Sequence, residues 1–451
     1  MRILVAHTYY QQPGGEDRVF EAETALLRNS GHTVLNYCQH NLQTSDFGPV
    51  ELAARTIWNP ATYSEMRALL RHERPDVCHF HNTFPIMSPS VFYAARAEGV
   101  PVVATLHNYR LLCPAGTLLR DDAICEECVP PHVPWQAVRY GCYRKNRAAS
   151  AVVALMLTSH QVGKTWKRAV DIWIALTEFA REKFIEGGLD PDRVAVKPNF
   201  LAPDPGGSDQ RKDYALFVGR LSPEKGIETL LKSWLQLQIP MPLRIAGGGP
   251  LQNRIIEASR EDRRIQFLGP LTHARTIQEM QAARLLVFPS IWYEGLPLTI
   301  IEAFATGLPV IASNVGAMRT LISAGRTGLL FTPGDSCDLV HKLNWCWQHA
   351  HELVTMGQFA RQTYLELYTA PRNYQHLMQI YERAMHRRAA QSRDQVNRAG
   401  HNTVIDDITA DHSARGAGAA GSGVESRECV ALDNNSVQAS RRVAEQSDTL
   451  W

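Results

Sequence analysis

The stretch Ser290–Pro309, SIWYEGLPLTIIEAFATGLP, decides how the rest of the chain is read. Leu285–Pro289 before it is a short apolar run that ends as a buried strand does. Pro297 suits a first helical position, because its missing N–H has no partner there in any case. Gly307 and Pro309 read as the stop. This places Glu294 on a strand-to-helix loop and Glu302 in the first turns of the helix. The unpaired N–H groups around Leu296, Leu298 and Thr299, aided by the helix dipole, form an anion site. Carboxylates accept hydrogen bonds from hydroxyls, so two of them beside a phosphate cradle suit a ligand with both diphosphate and sugar rings.

Outward from this stretch the chain alternates strand and helix. Arg2–Ala6 is apolar, Gln11–Gly15 is turn-rich, and Glu16–Asn29 carries apolar residues at helical spacing before Gly31 closes it. Gly14 and Gly15 let a ligand approach the helix start. The GxGxxG fingerprint is absent, so NAD is not inferred. Further strands are predicted at His32–Tyr37, Val77–Phe80, Val102–His107, Ile172–Thr177 and Val194–Lys197, with His81 and His107 at two strand ends. Leu201–Asp213, rich in Pro, Gly and charge, reads as a linker. Six more strands follow, at Tyr214–Val218, Leu243–Ala246, Gln266–Leu268, Leu285–Phe288, Val310–Ser313 and Gly328–Phe331. The expected fold is α/β, with two Rossmann-like domains facing across a cleft: residues 1–200, then a linker 201–213, then 214–370. Helices fill the chain from Asp335 to about Arg388, broken near Thr369–Arg372. The stretch 390–451, including GAGAAGSG at Gly416–Gly423, has the composition of a disordered tail.

In the second half, GRLSPEKG sets Arg220 and Lys225 around a turn. A guanidinium forks onto phosphate oxygens and an ammonium adds a point charge. AGGGPL at Ala246–Leu251 offers bare backbone, and FLGPL at Phe267–Leu271 an apolar wall for a base.

Taken together, FVGRLSPEKG, IAGGGPL, FLGPL, EGLPLTIIEA, GLPVIAS and TGLLFTPGD resemble the family 4 retaining glycosyltransferases of GT-B fold. The resemblance runs from the first strand to about Arg388. It implies that Arg220 and Lys225 neutralise the diphosphate of a nucleotide-sugar donor, that Glu302 holds the ribose hydroxyls, and that Glu294 binds the transferred sugar. Amides at Gly15 and at Leu296, Leu298 and Thr299 complete the phosphate cradle, and His107 meets the donor sugar from the first domain. A last helix over 371–389 crosses back to brace that domain. The family keeps the anomeric configuration without a catalytic metal, and bacterial surface-polysaccharide assembly on a lipid-linked glycan acceptor is the setting implied. In one departure, SNVGAMRTLI has Arg319 and Thr320 where the family often has a glutamate. A nucleotide-sugar 2-epimerase of the same fold and a non-catalytic sugar-nucleotide-binding subunit are the rival readings.

Two features stand outside these motifs. Cys113, Cys125, Cys128 and Cys142, within an insertion at 111–147, have the spacing C-x11-C-x2-C-x13-C. A structural zinc fits that spacing, and so do free thiols in a reducing compartment. From Val129 to Val170 no acidic residue occurs, while seven bases from Arg139 to Arg168 lie with Trp135 and Trp166. Such a segment suits an anionic membrane surface or a solvated basic face. The net charge of +2 over 451 residues gives no case for nucleic acid. Nine scattered cysteines and no secretory signal after MRILVAH point to cytoplasm, with any membrane contact peripheral at the inner face.

Overall fold

The protein is described from a computed structural model. It describes residues 1–11, 14–129, 133–208 and 210–410. Residues 1–388 pack as one compact unit.

The strands are β1 (Arg2–Tyr9), β2 (Thr33–His40), β3 (Val77–Asn82), β4 (Val102–Leu106), β5 (Leu119–Arg120), β6 (Ala123–Ile124), β7 (Ile172–Ala175) and β8 (Val194–Val196) in the first half. The second half has β9 (Ala215–Val218), β10 (Leu243–Ala246), β11 (Ile265–Gly269), β12 (Leu285–Phe288), β13 (Val310–Ser313) and β14 (Gly328–Phe331). All twelve strands of the two large sheets fall where the apolar runs predict them. The uninterrupted burial of inner strands such as Val77–Asn82 and Leu285–Phe288 is the mark of parallel strands covered on both faces, whereas the edge strand β2 is partly exposed along its length. Every pairing in both sheets is parallel.

The two sheets differ in order. The first runs β2-β1-β3-β4-β7-β8 and the second β11-β10-β9-β12-β13-β14. Only the second has the dinucleotide-fold order; the first follows the flavodoxin-like order with one strand more. In each sheet the crevice for a ligand opens where consecutive connections part to opposite sides. That point lies between β1 and β3 in the first sheet and between β9 and β12 in the second.

Two sequence expectations are corrected, at the start of one helix and in the tail. The helix of the deciding stretch is Leu298–Ala305, and Pro297 is its N-cap, with φ −69° and ψ 117°. The Pro297 carbonyl accepts from the Ile300 N–H at 3.1 Å, so proline's fixed φ serves the cap one residue before the helix. The linker 201–213 is anchored to the second half at Asp204 and Arg211. Arg211 donates to the carbonyls of Met280, Ala283 and Thr306, and Arg361 forks onto Asp204 with both contacts at 2.6 Å. Lastly, the helix that begins at Ala370 continues to Ala410, so the stretch from 390 is helical that far. Gly416–Gly423 lies outside the described residues.

The first turns of that helix pack on the first sheet, as expected. Leu377, Ile380, Tyr381 and Ala384 share a buried cluster with Ile3, Val5, Phe20, Val77, Val103 and Ile172. Polar contacts fix its register: Tyr374 lies 2.8 Å from His32, and Arg388 donates to the Arg96 carbonyl at 2.6 Å.

Candidate functional site

The predicted site residues converge on one cleft within residues 1–388. Helix Gly15–Asn29 leaves β1 at the first sheet's switch point, and helix Leu298–Ala305 follows β12 at the second's. Their N-termini lie close together, since a Cβ on Gly15 would lie 3.9 Å from the Leu298 side chain. The amides of Gly15, Leu298 and Thr299 stand in first turns, where no intrahelical acceptor exists. Two positive dipole ends aimed at one space favour a polyanion. The turn before Gly15 is held by Asp17, which accepts from the Gly14 N–H at 2.8 Å and lies 2.7 Å from His7 Nε2.

Arg220 and Lys225 follow β9. Arg220 is exposed and pairs with Glu224, whereas Lys225 reaches across to Glu294 at 2.6 Å. Ser290 donates to the same Glu294 oxygen at 2.7 Å. The AGGGPL loop closes tightly on this turn: a Cβ on Gly247, at φ +145°, would sit 1.9 Å from the Gly219 carbonyl oxygen. Bare backbone at 247 therefore serves loop packing.

Glu302 is buried, and burial raises its carboxyl above the ordinary glutamate range, with Arg18 acting in the opposite sense. Arg18 Nη2 stands 3.7 Å from Glu302 Oε1, and His273 Nδ1 lies 3.5 Å from the same oxygen. Arg18 comes from the first half and His273 follows FLGPL in the second, so Glu302 is met from both sides of the cleft. Neither residue was singled out from sequence. Arg18 lies on a helix face that periodicity marks only as polar, and His273 stands two residues beyond FLGPL.

His107 follows β4 and faces the Glu294 loop. A Cβ on Gly295 would lie 2.8 Å from the His107 carbonyl oxygen, and Tyr109 donates to the Glu294 carbonyl at 3.4 Å. His107 Nε2 is 3.0 Å from His81 Nδ1. Burial first, then the neighbouring His81 and His7, hold the His107 imidazole well below its usual range, so it is neutral at pH 7. Asn108 donates to Glu16 at 3.0 Å, and Tyr10 to the same carboxyl at 2.7 Å. A cavity beside His107 is lined by Phe80, Phe84, Phe92, Trp166 and Trp173.

Cys113, Cys125 and Cys142 all act on Cys128, whose thiol is pushed up to about 12, first by burial and then by Cys113. The insertion thus gathers its four cysteines around the β5–β6 hairpin. Among the described residues, the set of metal-capable atoms lying within 4.8 Å of one another is Glu23, His79 and His81; the four thiols stand farther apart. Glu126, between Cys125 and Cys128, pairs with Lys183 at 2.8 Å and lies near enough to Tyr293, the neighbour of Glu294, to help raise its hydroxyl above the usual range after burial. The insertion therefore rests on the cleft wall. Of the basic segment's two tryptophans, Trp135 is exposed and Trp166 is buried, its carbonyl accepting from Trp173 at 3.1 Å. Trp166 is a core residue, which leaves Trp135 alone among the exposed bases. No helix among the described residues is long and apolar enough to cross a membrane.

Residues 201–363 match the family described as glycosyl transferases group 1, and residues 13–204 match glycosyltransferase family 4. Among curated proteins, the phosphatidyl-myo-inositol mannosyltransferase of Mycobacterium leprae is 27% identical over 64% of this chain and 69% of its own length. The D-inositol 3-phosphate glycosyltransferase of Nocardia farcinica is 32% identical over 47% of this chain and 53% of its own. In fold, the chain is similar to Anabaena HepE in complex with UDP, at TM-score 0.60 and 18% identity, over 84% of this chain and 99% of that one.

Proposed function

The chain belongs to the family 4 glycosyltransferases of GT-B fold, and from that premise we propose that it moves a hexosyl group from a nucleotide-sugar donor to a lipid-linked glycan, with retention and without a catalytic metal. The observation that carries this reading is the meeting of two helix N-termini with Lys225, Glu294 and Glu302 in one cleft. The donor's diphosphate would lie between the helix starts, with Arg220 and Lys225 supplying positive charge. Its ribose hydroxyls would donate to Glu302. Its sugar would lie between Glu294 and His107. Departure of the nucleotide diphosphate would then develop negative charge beside the helix-start amides, with Lys225 close by on Glu294. The leaving phosphate would accept the acceptor's proton on the same face.

The nearness of Glu126 to Tyr293, the neighbour of Glu294, supports an acceptor-side role for the cysteine insertion. A structural zinc on Cys113, Cys125, Cys128 and Cys142 would require those thiols to draw together. The exposed bases and Trp135 support peripheral contact with an anionic cytoplasmic membrane face.

The test is a panel of nucleotide sugars incubated with the protein and bacterial lipid extract, with and without EDTA, following nucleotide release and labelled lipid. UDP-sugars come first, because Anabaena HepE binds UDP. Transfer from one donor, unaffected by EDTA and lost in Glu294→Ala, is expected. A donor sugar changed without acceptor identifies an epimerase, and binding without turnover a sugar-nucleotide-binding subunit. Metal analysis of reduced protein decides the zinc.

A further inference from the structure

Beneath His107 lies a chain of buried polar groups drawn from four parts of the fold. Glu23 comes from the Gly15–Asn29 helix, His79 and His81 from β3, Lys197 from just after β8, and Tyr381 from the crossing helix. Glu23 and Lys197 are each 1% exposed, and Lys197 Nζ donates to Glu23 Oε2 at 2.7 Å. Burial opposes ionisation of Glu23, but Lys197 and the two histidines outweigh it and hold the carboxyl well below its usual range. Glu23 is therefore a carboxylate, able only to accept.

Its other oxygen, Oε1, lies 3.1 Å from His79 Nδ1 and 3.4 Å from His81 Nε2. Glu23 Oε1 and His81 Nε2 are both buried and neither has a hydrogen-bond partner, so the 3.4 Å contact between them is electrostatic. An imidazole lone pair this near a carboxylate oxygen would be repelled by it, which favours the His81 proton on Nε2. Burial pushes His81 down to about 3, so it is neutral and has that proton alone. His81 Nδ1 is then an acceptor, and the atom facing it at 3.0 Å, His107 Nε2, must be the donor. His107 is neutral as well. With its single proton given to His81, its Nδ1 carries a lone pair.

We propose that Glu23 and His81 are positioning residues that fix His107 as the Nε2–H tautomer, so that its Nδ1 accepts a hydrogen bond from a hydroxyl of the donor sugar. The second clause rests on the nucleotide-sugar reading above; the first does not. Although the donor atoms of Glu23, His79 and His81 lie close enough for a metal, the Glu23 carboxylate is already neutralised by Lys197 at its other oxygen. Both nitrogens of His79 are engaged as well, by Tyr381 and Thr105 at 2.8 Å each.

The experiment uses the full chain labelled with 15N-histidine. Two-bond proton–nitrogen spectra at neutral pH report which ring nitrogen carries the proton, and His107→Asn identifies the signal. The expected pattern is His107 protonated on Nε2, changing to a mixture of tautomers in Glu23→Gln/Lys197→Met, where the removed charges leave no unpaired ammonium. An Nδ1–H pattern in the unaltered protein, or an unchanged pattern in the double variant, overturns the proposal. If the double variant does not fold, the unaltered protein's spectrum decides alone. Addition of UDP and then of UDP-glucose separates the two readings. A sugar-dependent shift at His107 Nδ1, not given by UDP, supports the second clause, and a shift of equal size with UDP alone overturns it. If neither ligand perturbs any histidine, the donor reading fails for these compounds while the tautomer result stands.

Discussion

Lys225 Nζ stands 2.6 Å from Glu294 Oε1, although each residue has its own place in the reading of the site: one on the diphosphate, the other on the sugar. Glu294 is 7% exposed, so its charge needs a partner whenever the donor is away. Lys225 supplies it, and Ser290 adds a second bond. Lys225→Met should therefore lower both donor affinity and the stability of the free protein, the latter by about 1 to 3 kcal/mol for a polar group left unsatisfied. Lys225→Met/Glu294→Gln should recover most of the stability and none of the transfer. Thermal melts and calorimetric donor titration check both.

Glu302 gives the opposite sign. Its carboxyl is raised in the folded state by burial. Such a group favours folding below the ordinary glutamate pKa of about 4.3 and loses that contribution as pH rises through its raised value. At neutral pH the buried charge is a burden on the free protein. Glu302→Gln should raise the melting temperature without donor, while weakening donor binding about tenfold or more through loss of a charged acceptor. A lower melting temperature would show that Arg18 and His273 already compensate the charge.

Gly295→Ala should separate binding from chemistry. The added Cβ would meet the His107 carbonyl oxygen at 2.8 Å, so one wall of the cleft must shift. A displacement near 1 Å at a reacting centre costs on the order of a hundredfold in rate. Transfer should fall by about that factor, with nucleotide affinity changed less than threefold, as read by turnover and titration with the bare nucleotide diphosphate.

Ending the chain after Arg388 should leave melting and transfer as they are, because residues 1–388 already form one compact unit. Ending it after Leu367 should not. It would uncover Ile3, Val5, Val77 and Val103 and strip Tyr381 from His79. At about 25 cal/mol per Å2 of apolar surface the loss amounts to several kcal/mol. Circular dichroism melts of the two truncations decide it.

The strands, the linker's position, the helix carrying Glu302 and the crossing helix were legible because apolar period, glycine and proline report local structure directly. The six motifs likewise placed Lys225, Glu294 and Glu302 together. What local pattern could not report was strand order, so the flavodoxin-like first sheet looked the same as the second. Nor could it report pairing at long range. Glu23 read as one polar residue of an amphipathic helix, yet its partners are 174 residues away at Lys197 and in β3. Trp166 was misjudged for a similar reason. Its basic neighbours Lys164, Lys167 and Arg168 are exposed, while its own ring turns inward beside Trp173.

The crossing helix has a consequence for how the chain can be divided. Residues before about 200 and those from about 370 to 388 build one packed body, since Leu377, Ile380 and Tyr381 complete the core beneath β1 and β3. In topological terms, the half that holds Lys225, Glu294 and Glu302 is an insert whose two ends both return to its host. Leu201 and Thr369 even pair as neighbouring bridge partners, so entry and exit lie side by side. That half can thus be exchanged as a cassette between those two residues, whereas a single cut at the linker would leave the first half without its own last helix.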